Sequence, residues 1–211
     1  MSNIEINNNK EERPFEYYLE QYSKINPKEA ATRCNITFNE EKQVFNIRMM
    51  SKNYLISFPE FSMIDENGVS VDAFPPRILV IRFLTEGKFV PFSGKTLTYR
   101  QAPWGEVYHT VFDGRCIKRL AYGFGYKLAL FEKTMQELGA EKLTMGDVAY
   151  RFEFINNLYV HFILWGADEE FDPTAQILFE DNIPESFTIE DMAVIGDISI
   201  STIKAISATI K

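Results

Sequence analysis

The chain has 211 residues, of which 45% are hydrophobic and 25% charged, and its formal net charge is −8. That length and balance suit one folded domain with a sizeable core and exclude a disordered or fibrous chain. The acidity opposes nonspecific attraction to nucleic-acid phosphates, and no uninterrupted apolar run is long enough to span a bilayer.

Residues 1–12 are rich in asparagine and charge and read as a flexible tail, which leaves 13–211 as a single domain. Pro14 suits a first helical turn, where its missing N–H has no intrahelical partner to lose. Phe15, Tyr18, Leu19, Tyr22 and Ile25 then share one helical face, and Asn26-Pro27 ends that helix and opens a shorter one at "PKEAATRC". "NITFNEEKQVFNIRM" alternates on both sides of a polar turn and predicts a β-hairpin; "NYLISF" and the Asn67-Gly68 turn continue the antiparallel pattern. "PPRILVIRFL" is nearly all apolar, and its two prolines and its length favour a buried helix over a buried strand.

From 114 to 139 the pattern is helical, with Cys116, Ile117, Leu120, Ala121 and Phe124 on one stripe and Leu128, Phe131, Met135 and Leu138 on a second. "GFG" separates the two, and Gly139 is placed to cap the second. Val148, Tyr150, Phe152 and Phe154 alternate with Ala149, Arg151 and Glu153, which predicts a half-buried strand. Beyond "INN", the run "LYVHFILW" is apolar on both faces and is expected at the centre of the sheet. Thr188 and Asp191 resemble a capping box for a terminal helix carrying Met192, Ile195, Ile203, Ile206 and Ile210. Runs of strands and helices that do not alternate strictly predict an α+β fold, a largely antiparallel sheet packed against several helices.

Cys34 and Cys116 each sit inside an apolar pattern and are expected as buried free thiols, not as a metal or redox motif. The polar beginning has no apolar signal segment, so the expected location is the cytoplasm. Arg77, Arg82, Lys88, Lys95 and Arg100 lie close together in sequence but read as part of a mixed-charge surface.

Several catalytic patterns fail on single residues. "SGKT" at 93–96 copies the end of a phosphate-binding loop, yet Phe89 stands where its first glycine is needed. Gly123 and Gly125 lack the third glycine of a dinucleotide fingerprint, because Leu128 occupies that place. Glu106 and His109 have the spacing of half a di-iron carboxylate site, but the other histidine, His161, has Leu158 three residues before it. His161 shares a strand face with Tyr159, Ile163 and Trp165 and reads as an ordinary satisfied histidine. There is no GxSxG elbow, and two histidines make a triad or a His-rich zinc site hard to build.

The stretch "WGADEEFDPTAQILFEDN" (165–182) is the densest acidic segment. With Asp168 as the first ligand of a calcium loop, Pro173 replaces the turn glycine and Phe179 the bidentate glutamate, so it is not an EF-hand. In an extended chain Asp168, Glu170 and Asp172 would share a face able to hold a cation or to raise one pKa. The competing reading is a solvated strand-end loop that accepts local N–H bonds, with Trp165, Phe171 and Phe179 as anchors.

The ordered series "VPFSGKTLTYRQAPWGEVYHTVF" (90–112), "MGDVAYRF" (145–152), "LWGADEEFDPTAQILFEDNI" (164–183) and "EDMAVIG" (190–196) resembles an uncharacterised bacterial and archaeal family, the domain of unknown function 3786. The resemblance marks Gly146-Asp147 and residues 166–171 as signature positions but brings no established activity or catalytic residue. Some relatives look joined to an iron–sulfur domain similar to that of corrinoid iron–sulfur proteins, which implies a link to anaerobic metal or one-carbon metabolism. This chain has no such cysteine-rich part, so a cluster-related role here needs a partner or has been lost.

The resulting expectation is a soluble binding or accessory module that takes a protein partner or a small-molecule ligand and names no cofactor. The alternative is a small-molecule or metal-dependent enzyme built on the 168–172 acids, with Asp168, Glu169 and Glu170 joined by Arg100, Glu106, Tyr108 and His109. Structural self-association through the aromatic residues is a third reading.

Overall fold

A computed structural model describes residues 9–210, so most of the expected 1–12 tail lies outside the described residues. Helix α1 (Asn9–Tyr22) begins ahead of the expected start and carries Pro14 inside it, because Lys10, Glu11, Glu12 and Arg13 are all good helix formers. Asn26 caps α2 (Pro27–Arg33), its Oδ1 accepting the N–H groups of Lys28 and Glu29. The predicted hairpin follows as β1 (Thr37–Asn39) and β2 (Val44–Met49), then β3 (Lys52–Ser57) and β4 (Met63–Asp65). Gly68, with φ +79°, supplies the left-handed turn after β4. The apolar run is helix α3 (Phe74–Glu86), and its residues Leu79, Val80, Ile81, Phe83 and Leu84 are buried.

The middle of the chain runs through β5 (Thr96–Thr98), a 3-10 turn (Tyr99–Gln101), α4 (Gly105–Phe112), a π-helical turn (Asp113–Ile117), α5 (Lys118–Phe124) and α6 (Leu128–Glu137). Phe112, Cys116, Leu120 and Phe124 recur every fourth residue, a spacing that drifts round a regular helix of about 3.6 residues per turn. The wider π turn takes up the drift and keeps all four side chains buried. Gly139, at φ +74°, ends α6 as expected: its N–H and that of Ala140 reach the carbonyls of Gln136 and Met135.

The rest comprises β6 (Glu141–Leu143), β7 (Val148–Ile155), β8 (Leu158–Trp165), β9 (Thr174–Glu180), α7 (Ile183–Ser186) and α8 (Ile189–Ser207). The Thr188–Asp191 capping box opens α8. All pairings in the nine-stranded sheet are antiparallel, in the order β4-β3-β2-β7-β8-β9-β5, with β1 beside β2 and β6 beside β7. The fold is α+β. Asn156 and Asn157 both take positive φ in the tight β7–β8 turn, a conformation asparagine tolerates well. Asn156 also ties the two halves of the sheet together, since its Oδ1 accepts the Arg48 N–H and its own N–H reaches the Arg48 carbonyl.

β8 is central, between β7 and β9, and only Tyr159 and Trp165 of its residues are not buried. One face carries the main core, where Phe112, Phe124, Phe131, Phe154, Phe162 and Phe179 meet Ile195 and Ile203 of α8. The opposite face holds a small separate cluster of Ala149, Ile163 and Leu178 beside Leu143. Cys34 and Cys116 are buried and free; burial pushes their thiols up to about 11 and about 12, so neither is a nucleophile near neutral pH. Among the described residues no helix is long and apolar enough to cross a membrane.

Candidate functional site

The segment "TYRQAPWGEVYHTVF" builds an exposed ridge on a rigid base. The Thr98 N–H donates to Gln101 Oε1, closing the 3-10 turn that carries Tyr99. Tyr99 is buried, stacks on Phe112 with ring centroids 4.0 Å apart, and donates its hydroxyl to the Ile189 carbonyl at 3.0 Å. Burial pushes its phenol up to about 12, so it stays a neutral donor. Gly105 then passes so close to Tyr99 that a Cβ would lie 1.8 Å from the Tyr99 carbonyl oxygen. Trp104 is consequently held in the left-handed region at φ 65°, a conformation costing a side-chain-bearing residue about 1–2 kcal/mol.

Trp104 does not use that strained position to reach the core. It is 77% exposed, and Val107, Tyr108 and Val111 continue the same face at 71%, 40% and 63%. Their spacing of i, i+3, i+4 and i+7 makes one contiguous apolar row along α4, while Gly105 and Phe112 fill the buried side. An α-helix apolar on two faces is usually enclosed on both.

Beside the ridge lies a cavity of about 280 Å³ between α3 and the α7–α8 corner, with Phe187, Ile189 and Met192 among its apolar lining. A more open depression adjoins it, sharing Trp104 and Arg82, and runs past Tyr18, Val107, Tyr108 and Glu190. Across both, one guanidinium, Arg82, faces the carboxyls of Glu86, Glu185, Glu190 and Asp191. Arg82 lies 3.2 Å from Asp191, whose Oδ2 also accepts the Thr188 N–H and hydroxyl. Burial raises the Asp191 carboxyl above its usual range, and Arg82 and Thr188 only partly counter it. Glu86, Glu185 and Glu190 stand exposed on the rim.

The far flank of α4 borders a cleft of about 260 Å³ where Arg100, His109, Asp113 and Gln176 meet Phe112 and Ile177. Arg100 is held by Glu106 through two hydrogen bonds of 2.5 and 2.9 Å, in an exposed bidentate pair. Tyr108 turns the other way and donates to Glu190 at 3.4 Å. Four of the residues singled out in the sequence, Arg100, Glu106, Tyr108 and His109, therefore sit on or against α4, split between its two flanks.

Asp168, Glu169 and Glu170 belong to a different place. The 166–173 loop is not extended, because the Asp168 carboxylate accepts the N–H groups of Glu170 and Phe171 at 2.8 and 2.7 Å and folds the chain on itself. Asp172 accepts the hydroxyl of Tyr126 at 2.8 Å and that of Tyr122 at 3.4 Å, tying the loop to the end of α5. Asp168 and Asp172 line an open depression with Asp147, Trp165 and Phe171, separate from the cleft that holds His109. Glu169 and Glu170 are exposed, and among the described residues no group of three or more His, Cys, Asp or Glu side chains is placed to hold a metal. Of the expected anchors Phe179 is buried, whereas Phe171 is 68% exposed, turned outward by the Asp168 turn, and Trp165 is only partly covered.

The signature glycines of this region serve packing. A Cβ on Gly146, at φ +56°, would meet Ile163 and the Leu164 carbonyl at 2.7 and 2.8 Å. The neighbouring Asp147 accepts the Gly166 N–H at 2.8 Å.

Two features escaped the sequence reading. The ridge is one, although its apolar row was visible as Trp104, Val107, Tyr108 and Val111. The other is a buried polar cluster across three strands. Glu180 is fully buried on β9, its Oε1 accepting Arg151 Nε at 2.7 Å and lying 3.6 Å from His161 Nε2. His161 Nε2 and Glu180 Oε2 are buried with no hydrogen-bond partner among the described residues.

No curated protein and no solved structure matches the chain. Residues 26–202, which include α2, the whole sheet, the ridge and most of α8, match the family described as Domain of unknown function (DUF3786). The chain belongs to that family.

Proposed function

We propose that this protein is a binding or accessory module that docks a protein partner on the α4 ridge and performs no chemistry of its own. The observation that carries the reading is the row of Trp104, Val107, Tyr108 and Val111, exposed on a helix that already buries Gly105 and Phe112 on another side. Large exposed aromatics are the residues that most often dominate binding energy at interfaces. The module acts in the cytoplasm, and the tie to anaerobic metal or one-carbon metabolism rests on the family resemblance alone.

The test is a photoreactive benzoylphenylalanine placed at Val107 in the cells that make the protein, with the same group at exposed Glu41 as control. A discrete adduct with an identified protein, formed from position 107 and not from 41, is the expected result. Equal labelling at both sites, or none at 107, refutes the reading.

A small-molecule site is the second reading, favoured by the convergence of Arg100, His109 and Asp113 in one cleft beside the π turn. It predicts that small anions added at millimolar concentration shift the His109 ring resonances in an NMR titration. Unmoved resonances would dismiss it.

A further inference from the structure

We infer that the segment docking on the ridge is an amphipathic helix of another protein that carries lysine or arginine beside its apolar anchors. The inference rests on the reading of α4 as a docking face and adds the chemistry of what docks there.

The shape favours a helix. A single raised row along α4, with a depression beside it, is the relief that ridge-into-groove helix packing uses. The α4 backbone is committed to its own helical bonds, so an extended strand would find no ladder to join. The cavity next to Trp104 has an apolar lining in Phe187, Ile189 and Met192 and room for one large apolar side chain.

The charge favours a cationic helix. The carboxyls of Glu86, Glu185, Glu190 and Asp191 border the groove against the single guanidinium of Arg82. Arg82 is shared between Asp191 at 3.2 Å and Glu86 at 3.7 Å, and Arg100 is spent on Glu106 at the other edge of α4. That leaves Glu185 and Glu190 without an ion pair among the described residues, and although Lys88 is exposed two residues past Glu86, the carboxyls bordering the groove outnumber the cations, in a chain whose net charge is −8. A second copy of this chain fits worse, because a two-fold contact through this face would set the three glutamates against their own copies.

The experiment selects helical peptides from a displayed random library on the full-length chain, then measures each selected peptide against variants by fluorescence anisotropy. Enrichment of peptides with apolar residues at i, i+3 or i+4 and i+7, flanked by lysine or arginine, is expected. Their binding should fall at least tenfold on Trp104→Ala, and E86K/E185K/E190K should select acidic peptides instead. All four positions are exposed or at the rim, and thermal melting of each variant checks folding; E185K alone serves if the triple variant melts early.

Selected peptides that need Trp104 but carry no net positive charge would overturn the charge assignment and leave the ridge reading intact. Cationic peptides indifferent to Trp104→Ala, or an empty selection, would overturn both. A dimer in sedimentation that Val107→Asp dissolves would make the occupant a second copy and overturn the inference.

Discussion

Glu180 offers the sharpest test of how the sheet is held together. Replacing it with alanine removes a fully buried carboxylate and strands the Arg151 guanidinium that donates to it at 2.7 Å. Breaking a buried pair from one side costs about 3–5 kcal/mol when the surviving charge has nowhere to turn. Arg151 has alternatives: its side chain is 24% exposed, Glu141 lies 3.3 Å away, and its guanidinium stacks 3.6 Å over the Tyr159 ring. These bring the expected loss to about 2–3 kcal/mol, or a melting temperature lower by roughly 5–10 °C for a chain of this size. Removing both charges is different, because R151M/E180L leaves neither a buried ion nor a large void. It should fall within about 1 kcal/mol of the natural chain on either side. Urea unfolding followed by circular dichroism measures both. A loss below about 1 kcal/mol for Glu180→Ala, or a double variant as damaged as the single one, would refute the reasoning.

Three further outcomes follow from the same geometry. Gly105→Ala drives a Cβ against the Tyr99 carbonyl and should cost more than about 2 kcal/mol, whereas Gly114→Ala, with nothing within 4 Å of its Cβ, should be neutral or slightly stabilising; equal melting temperatures would contradict this. Trp104→Gly relieves a left-handed side chain that buries little, so stability should hold or rise by up to about 1 kcal/mol while the ridge is lost, and a clear drop in thermal melting would show that Trp104 supports the fold. Burial alone would raise the Asp197 carboxyl, but Arg115 and Arg119 outweigh it and hold it below its usual range. The unfolded chain then takes up that proton first as pH falls, so the stability from Asp197 is complete above about pH 4 and is lost on acidification through its folded value. Asp197→Asn should flatten the fall of the urea midpoint below about pH 4, and an unchanged slope would exclude this pair as a cause.

What could be read from the sequence was what local spacing determines. The β7–β8 hairpin announced itself through alternation and an asparagine turn, and α8 through Thr188 and Asp191. β9 did not. Its "AQILFE" puts apolar residues on both faces and ends in a glutamate, which in isolation looks like solvated loop. Glu180 is buried only because Arg151, 29 residues earlier in the chain, lies across β8 from it, and no local pattern carries that pairing. Phe171 failed for the converse reason: an aromatic among acids resembles an anchor until the side-chain bonds of Asp168 reverse the chain beneath it.

The ridge lies between these cases and explains why its position is fixed. Apolar spacing marks α4 as amphipathic but leaves undecided which face is covered. That is settled at both ends by contacts from elsewhere in the chain. At the start, Tyr99 is bound to the Ile189 carbonyl and Gly105 is pressed against Tyr99; at the end, the π turn brings Cys116 against Gly196 of α8, where a Cβ would lie only 2.9 Å from the sulfur. A helix pinned in this way cannot roll to bury Trp104, Val107 and Val111. The packing that keeps these side chains exposed also fixes the backbone that carries them, so a partner meeting the row has little backbone ordering left to impose on this side of the contact.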